Sequence, residues 1–282
     1  MRKIIFILIT GLLIINYSFA SFPPVILNAR AGALGEAYVA LSDDWGSLYY
    51  NPAGLSLVNK RIVGFTHLTL PESWTNVEFI GGVLPLGNIT LGIGVSLKNI
   101  SNTEELLFPF SENSFQVSLG TKVIPNLSLG ITGNLYMSTL DTGSAQGFGI
   151  DLGAIYEVNS NLRIGLALYN PLSFLKWSTG TTEDVERKDI VFGSCFNLDL
   201  GIPLKILFDL SLLEKPNFLN RIHLGIEATP LSMLALRAGY NGAKEGITLG
   251  FGLSFSNFNL DYALLHTKAL SNQHIISLSG SF

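Results

Sequence analysis

The feature that most limits what this chain can become is a strict two-residue alternation that recurs along most of its length. Between residues 247 and 255, Ile247, Leu249, Phe251, Leu253 and Phe255 alternate with Thr248, Gly250, Gly252 and Ser254. The same pattern returns at 89–97 and 148–156. A period of two puts one residue type on each face of a strand, so each segment has a greasy face and a small polar one. Mean hydropathy is +0.40 and only 13% of residues are charged, more apolar than an ordinary soluble domain. Beyond the N-terminus, however, Gly, Ser, Asn, Asp or Lys interrupts every window before it reaches the roughly 18–20 apolar residues of a spanning helix. Backbone that sits in lipid without forming helices must pair on both sides, and only a closed barrel achieves that. In such a barrel the greasy face looks out to lipid and the small polar face lines the lumen. The 29 glycines fit strands that need small inward residues.

This reasoning predicts an all-β protein, a transmembrane antiparallel β-barrel of about 14 strands, each near the roughly 9–11 residues that a tilted strand needs. The strands are expected near 61–70, 75–84, 88–99, 114–124, 127–138, 147–157, 161–169, 189–200, 203–213, 220–229, 231–240, 246–256, 257–266 and 273–282. Tight connections rich in Pro and Asn, such as Pro125-Asn126 and Ser256-Asn257, alternate with longer ones, as outer-membrane barrels alternate periplasmic turns with external loops. An even count places both ends on the periplasmic side. The last strand closes on Phe282, preceded on one face by Gly280, Leu278, Ile276 and His274. A terminal aromatic of this kind resembles the signal read by the outer-membrane insertion machinery.

Residues 1–20 read as a signal peptide: Arg2 and Lys3 precede an apolar core, and Ser18-Phe19-Ala20 is a small-x-small cleavage site. Export to the outer membrane of a Gram-negative-type (diderm) bacterium, with cleavage near Ala20, follows. Outer-membrane lipid is then the first partner. The formal net charge of −4 argues against nucleic acid. Cys195 is the only cysteine, so no disulfide framework exists, and it reads as a small buried residue. Four scattered histidines have no metal-ligand spacing, and no nucleophile elbow or phosphate loop is present, so no catalytic residue, metal or cofactor is expected.

One stretch does not alternate. Residues 29–55 read as a plug, within an N-terminal plug or hatch unit of 21–60 that precedes the barrel of 61–282. Ser42 followed by Asp43 and Asp44 suits a helix start, with a hydroxyl cap and carboxylates at the positive end of the dipole. Trp45, Leu48 and Tyr49 then share a face, and Asn51-Pro52-Ala53-Gly54 ends the helix because proline forbids its continuation. The element is expected to cap the periplasmic mouth. A metal on Asp43 and Asp44 is disfavoured, since no other ligand cluster lies near them.

The run Ala29-Arg30-Ala31-Gly32-Ala33-Leu34-Gly35-Glu36-Ala37-Tyr38-Val39-Ala40, then Asp43-Asp44 and Tyr49-Tyr50-Asn51-Pro52-Ala53-Gly54-Leu55, resembles the N-terminal signature of the superfamily that joins FadL-type transporters to PorV/PorQ-type outer-membrane proteins. That resemblance implies a fourteen-stranded barrel with a hatch at Asn51, Pro52 and Ala53. It also implies passive transport of hydrophobic small molecules, caught by external loops and released through a gap near a kinked strand. Gly81-Gly82 and Gly92/Gly94 are candidate kinks. PorV-like members imply the alternative: a scaffold or shuttle whose partner is a secreted protein or secretion complex. Two loops are the expected contact surface for a hydrophobic ligand or partner: Leu106, Leu107, Phe108 and Phe110 in the first, Phe174, Leu175 and Trp177 in the second. Charges assigned to the lumen by alternation, from Glu78 and Lys98 through Asp151, Lys205, Asp209, Glu227, Arg237 and Asp261, have mixed signs, which favours ion pairs between strands over a selective ring.

Overall fold

In the computed structural model, residues 21–70, 75–100, 110–140, 143–185, 187–213, 217–267 and 272–282 are described. Residues 1–20, read above as a signal peptide, and Leu106, Leu107 and Phe108 lie outside them. The chain forms one antiparallel sheet closed on itself. Its spanning strands are β1 (Ile62–Leu70), β2 (Thr75–Leu86), β3 (Ile89–Ile100), β4 (Phe110–Ile124), β5 (Leu127–Leu140), β6 (Gly143–Glu157) and β7 (Leu162–Trp177). After a two-residue β8 (Thr182–Glu183) follow β9 (Asp189–Asp199), β10 (Pro203–Ser211), β11 (Ile222–Leu231), β12 (Leu234–Asn241), β13 (Gly246–Phe255), β14 (Phe258–Thr267) and β15 (Gln273–Ser281). Closure is made by β1 on β15, from Ile62↔Ser281 to Thr69↔His274. Leaving out β8, these are fourteen spanning strands, as the alternation predicts.

The two faces sort as the period demands. On β13 the side chains of Ile247, Leu249, Phe251, Leu253 and Phe255 are exposed on the outside, whereas Thr248 is fully buried. Ile276, Leu278 and Phe282 likewise look outward from the last strand, and Phe282 N donates to Arg61 O at 2.9 Å, next to where β1 begins. The outer face is therefore an apolar band, the surface that a hydrocarbon layer covers. No helix is long and apolar enough to cross a membrane among the described residues.

Several boundaries move. Strands β4, β5, β6 and β7 extend further toward the long-connection end than predicted, so Phe110, Phe174, Leu175 and Trp177 stand in strands instead of loops. The turn between the strands expected at 220–229 and 231–240 is shifted: Pro230 lies in β11, which bulges between Ala228 and Leu231, and the turn falls at Ser232-Met233. Glu78 is not lumenal. Val77, Phe79 and Val83 take the inner face of β2, and Glu78 pairs across the outer face with His67 at 2.7 Å.

The core of the molecule is the plug itself. Its residues Ile26, Leu27, Leu34, Leu41, Trp45, Leu48 and Leu55 are buried against the lumenal side chains of Leu68, Phe79, Leu207, Leu265 and Ile275. The lumen wall is thus apolar where it meets the apolar side of the plug. Instead of capping one mouth, the plug threads the bore. Phe22 N donates to Glu112 Oε1 near the long-connection end, while Arg61 leaves beside Phe282 at the turn end. A belt of lumenal glycines makes room for it. A Cβ on Gly64, Gly81, Gly92, Gly120, Gly165 or Gly225 would come within 3.0 Å of plug atoms.

Candidate binding cavity beside the plug

Local sequence chemistry decides the shape of the plug. Asn28 caps the short helix Ala29–Ala33, its Oδ1 accepting from Ala31 N at 3.0 Å. The second helix is only Ser47–Tyr50, so the expected start at Ser42 is corrected. Ser42 Oγ instead donates back to Tyr38 O at 2.9 Å, which satisfies the hydroxyl and leaves the following amides uncapped by it. Asp44 Oδ1 accepts from Gly46 N at 2.7 Å and so shapes the turn before the helix. Trp45 stacks on Phe79 with centroids 5.4 Å apart, and Leu48 faces Gly81 and Gly92, whereas Tyr49 turns away to the other side of the plug. Asn51 and Pro52 end the helix as expected, and Pro52 opens a 3-10 turn, Pro52–Leu57.

Several sets of polar contacts tie the plug to the wall. Asn51 is fully buried: its Oδ1 accepts from Ala53 N at 3.1 Å, and its Nδ2 donates to Val39 O at 2.8 Å and reaches Ala154 O and Leu166 O of β6 and β7. The amide therefore matches carbonyls of plug and wall together, and Gly153 leaves it space. Arg30 is the second tie. It binds Asp43 at 2.7 Å and Asp44 at 3.2 Å within the plug and Glu227 at 2.9 Å on the wall. Glu227 also takes Arg237 and Lys205, each at 2.7 Å, and Arg237 continues to Asp261 at 2.6 Å. Asp43 and Asp44 thus serve a guanidinium, and no metal-holding cluster is found among the described residues. Burial alone would raise the Asp43 carboxyl; Arg30, Lys205 and Arg163 outweigh it and hold the group below its ordinary value. The third tie runs through Gly35 and Glu36, both left-handed at φ 66 and 64. Glycine is required at the first, because a Cβ there would meet the Tyr240 backbone. Glu36 Oε2 accepts from Asn241 Nδ2 at 2.7 Å and Lys244 Nζ at 3.2 Å, while Tyr50 OH donates to Oε1 at 3.1 Å. Burial again opposes ionisation, but Lys244 and His223 win and keep Glu36 below its ordinary value. Asp209 Oδ2 accepts the amides of Tyr38 and Val39 at 2.7 and 2.9 Å from β10.

Between the plug and strands β7, β9, β10 and β11, toward the long-connection end, lies a cavity of about 390 Å³. Tyr49, Tyr50 and Tyr169 give it aromatic walls, and Val39, Val191 and Leu213 give it aliphatic ones. Its volume falls within the range of roughly 300–1,000 Å³ typical of small-molecule sites. Charged side chains are present but engaged. The Arg187 guanidinium lies between the rings of Tyr49 and Tyr169, 3.6 and 3.7 Å from their centroids, and donates to Tyr49 O at 2.7 Å. Lys244 is taken by Glu36. Asp189 binds the Ser211 hydroxyl and the Leu213 amide. Burial pushes the hydroxyls of Tyr49 and Tyr50 up, so both rings stay neutral. What remains open is mostly ring face and aliphatic carbon.

The wall beside this cavity is irregular. Ladder pairing of β7 with β9 stops at Tyr169↔Asp189, although β7 continues to Trp177. On its other edge, Tyr169, Asn170 and Pro171 stand opposite the single residue Asp151, because the register shifts between Ile150 and Leu152. Pro171 has no N–H for the ladder. Asn170 sits at φ 47, its N donating to Asp151 Oδ1 at 2.9 Å and its Nδ2 to Arg187 O at 2.8 Å. The glycine pairs Gly81-Gly82 and Gly92/Gly94, expected to kink the wall, lie in ladders that run without a shift in register. Around Asn51 the wall is sealed, with Gly153↔Ala167 and Ala154↔Leu166 paired.

Among the described residues, none of those expected to catch a ligand lines this cavity. Phe174 is exposed on the outer face, Leu175 is buried with Tyr136 and Val185, and Trp177 Nε1 donates to Glu183 Oε1 at 2.9 Å. The Phe110 ring lies 5.4 Å from Lys98 Nζ. Alternation carried through a longer strand puts Phe174 on the opposite face from Leu175 and Trp177. The cavity's own residues come from the plug and from five separate segments of the wall. Only Tyr169-Asn170-Pro171, a break inside an alternating strand, signalled the place in the sequence.

Fold and cavity together define a class: a closed membrane barrel of fourteen strands whose bore is filled by its own N-terminal segment, leaving one small-molecule-sized space. Solved structures share this fold. The Ralstonia pickettii toluene transporter TbuX matches 95% of this chain and 100% of its own, with a TM-score of 0.65 at 13% identity. A Pseudomonas aeruginosa FadL homologue covers 93% and 99% at a TM-score of 0.60 and 11% identity, and the P. putida toluene transporter TodX covers 85% and 94% at 0.59 and 11%. No protein-family model matches the chain, and no curated protein matches it in sequence. The chain has the FadL-type outer-membrane barrel fold to which its hatch motif bears a resemblance.

Proposed function

We propose that this chain is an outer-membrane channel of a diderm bacterium for passive passage of small hydrophobic molecules, with the cavity beside the plug as the station where they bind. The observation that carries this reading is the cavity itself: about 390 Å³ of space beside the plug, with aromatic and aliphatic side chains in its walls. The structural neighbours add support, since two of the three are toluene transporters. The ladder between β7 and β9 ends at Tyr169↔Asp189, beside the cavity, and we assign the exit toward the membrane to that side. Transport of this kind needs no reaction and no cofactor.

The test uses protein refolded into lipid vesicles and toluene as the probe. Saturable binding above that of empty vesicles is expected, with a loss of roughly tenfold in Val191→Trp, because the larger ring fills the cavity. Val191→Trp must still show the heat-modifiable mobility of a folded barrel. Absence of saturable toluene binding in the wild type refutes the proposal.

A further inference from the structure

Two independent observations meet at Ser21. In the sequence it is the first residue after the predicted cleavage site. In the structure it touches a carboxylate that lacks a cation. Ser21 Oγ donates to Glu183 Oε1 at 3.2 Å, and Trp177 Nε1 donates to the same oxygen. Several acids that face the lumen or the plug have a positive partner, Glu112 with Lys98 at 2.6 Å, Glu36 with Lys244 and Glu227 with three, while Asp209 accepts two plug amides instead. Glu183 has none among the described residues. The neighbouring residue is held in the same way, since Phe22 N donates to Glu112 Oε1 at 2.8 Å. Phe22 also adopts φ +65, a left-handed backbone uncommon for an aromatic residue, and packs on Tyr136 with centroids 4.7 Å apart. A segment so placed is constrained by its surroundings at the point where the mature chain would start.

We infer that cleavage between Ala20 and Ser21 supplies the missing cation, and that the new Ser21 α-ammonium docks on Glu183. The chemistry is hydrolysis by a signal peptidase: water adds across the Ala20–Ser21 amide, the C–N bond breaks, Ala20 keeps the carboxylate, and the Ser21 nitrogen leaves as an ammonium group. An ammonium offers three donors where the peptide offered one. A charge-assisted bond to a carboxylate is stronger than the neutral hydroxyl contact. Docking has a consequence beyond anchoring, because Pro23 and Pro24 line the 390 Å³ cavity. Processing therefore does more than release the protein from its leader: it fixes one wall of the cavity.

Intact-mass measurement on the wild-type protein from outer membranes comes first, and a mature chain that starts anywhere but Ser21 overturns the inference. Accessibility of the segment is then read by maleimide labelling of Pro23→Cys in a Cys195→Ser background, in folded protein identified by heat-modifiable mobility. Glu183→Gln is expected to label roughly tenfold faster, the size of one charge-assisted bond. A Gly-Ser insertion after Ala20, confirmed by mass, moves the ammonium by about 7 Å and should do the same. Ser21→Ala keeps the ammonium and should label at the parent rate. Parent-like labelling of both Glu183→Gln and the insertion, or fast labelling of Ser21→Ala, refutes ammonium docking.

Discussion

The fit between plug and wall makes Gly165→Ala a quantitative test of the whole arrangement. Gly165 lies on the lumenal face of β7, and a Cβ there would stand 2.7 Å from Val39 O and 2.8 Å from the N and Cα of Ala40. All three are backbone atoms, so no side chain can swing aside. Forcing a methyl group into such a site costs about 1–3 kcal/mol, often near the upper end when backbone must move. Replacing glycine returns about 0.4–1 kcal/mol through the unfolded chain. The net loss is about 2 kcal/mol, roughly a 30-fold fall in the folding equilibrium constant. Gly133→Ala on β5 is the matched control: its nearest neighbour would be Phe148 Cε2 at 3.8 Å, an ordinary contact, so only the gain applies. Urea unfolding in lipid vesicles, followed by tryptophan fluorescence, should place the two variants on opposite sides of the wild type. Equal midpoints for Gly165→Ala and Gly133→Ala would refute the placement of the plug against β7.

Further perturbations address the polar ties. Glu227→Ala removes the acid that Arg30, Arg237 and Lys205 share in a buried cluster and should destabilise the barrel by about 3–5 kcal/mol in the same assay, more than Glu227→Gln. Acid should loosen the plug in a defined window. Glu36 and Asp43 are held below their ordinary values of 4.5 and 3.8, so their contribution is complete above those values and fades as pH falls through the lowered ones. Hydrogen exchange of the plug amides should accordingly be flat from neutral pH down to about 5 after correction for intrinsic rates, and rise in stronger acid. Arg187→Lys keeps the charge but cannot stack as a plane between Tyr49 and Tyr169; it should cost about 2 kcal/mol and weaken toluene binding, whereas a structural role elsewhere would leave binding intact.

The barrel was readable because its determinants are local. A strand of Ile247, Leu249 and Phe251 against Thr248, Gly250 and Gly252 can satisfy lipid on one side only one way round, and that constraint repeats strand by strand. Ser42 shows where local reading fails. Its hydroxyl, Asp43 and Asp44 fit a helix cap by propensity, but burial offered Tyr38 O to the hydroxyl and Arg30 to the carboxylates. Glu78 fails for a related reason: its strand meets the apolar flank of the plug, so the inner face took Val77 and Phe79. The assignment of Phe174, Leu175 and Trp177 to one loop failed because β7 continues through them beyond an internal bulge.

The amino-acid sequence by itself determined a closed, lipid-facing sheet of fourteen strands and a distinct N-terminal segment, since period and length are properties of the chain taken a few residues at a time. Tertiary structure alone decided that the segment runs the length of the bore, that a belt of glycines receives it, and that Tyr49, Tyr169 and Arg187 enclose a cavity. Those outcomes depend on which residues far apart in sequence share a small buried volume, where each added atom and each unpaired charge is settled by its neighbours across the lumen.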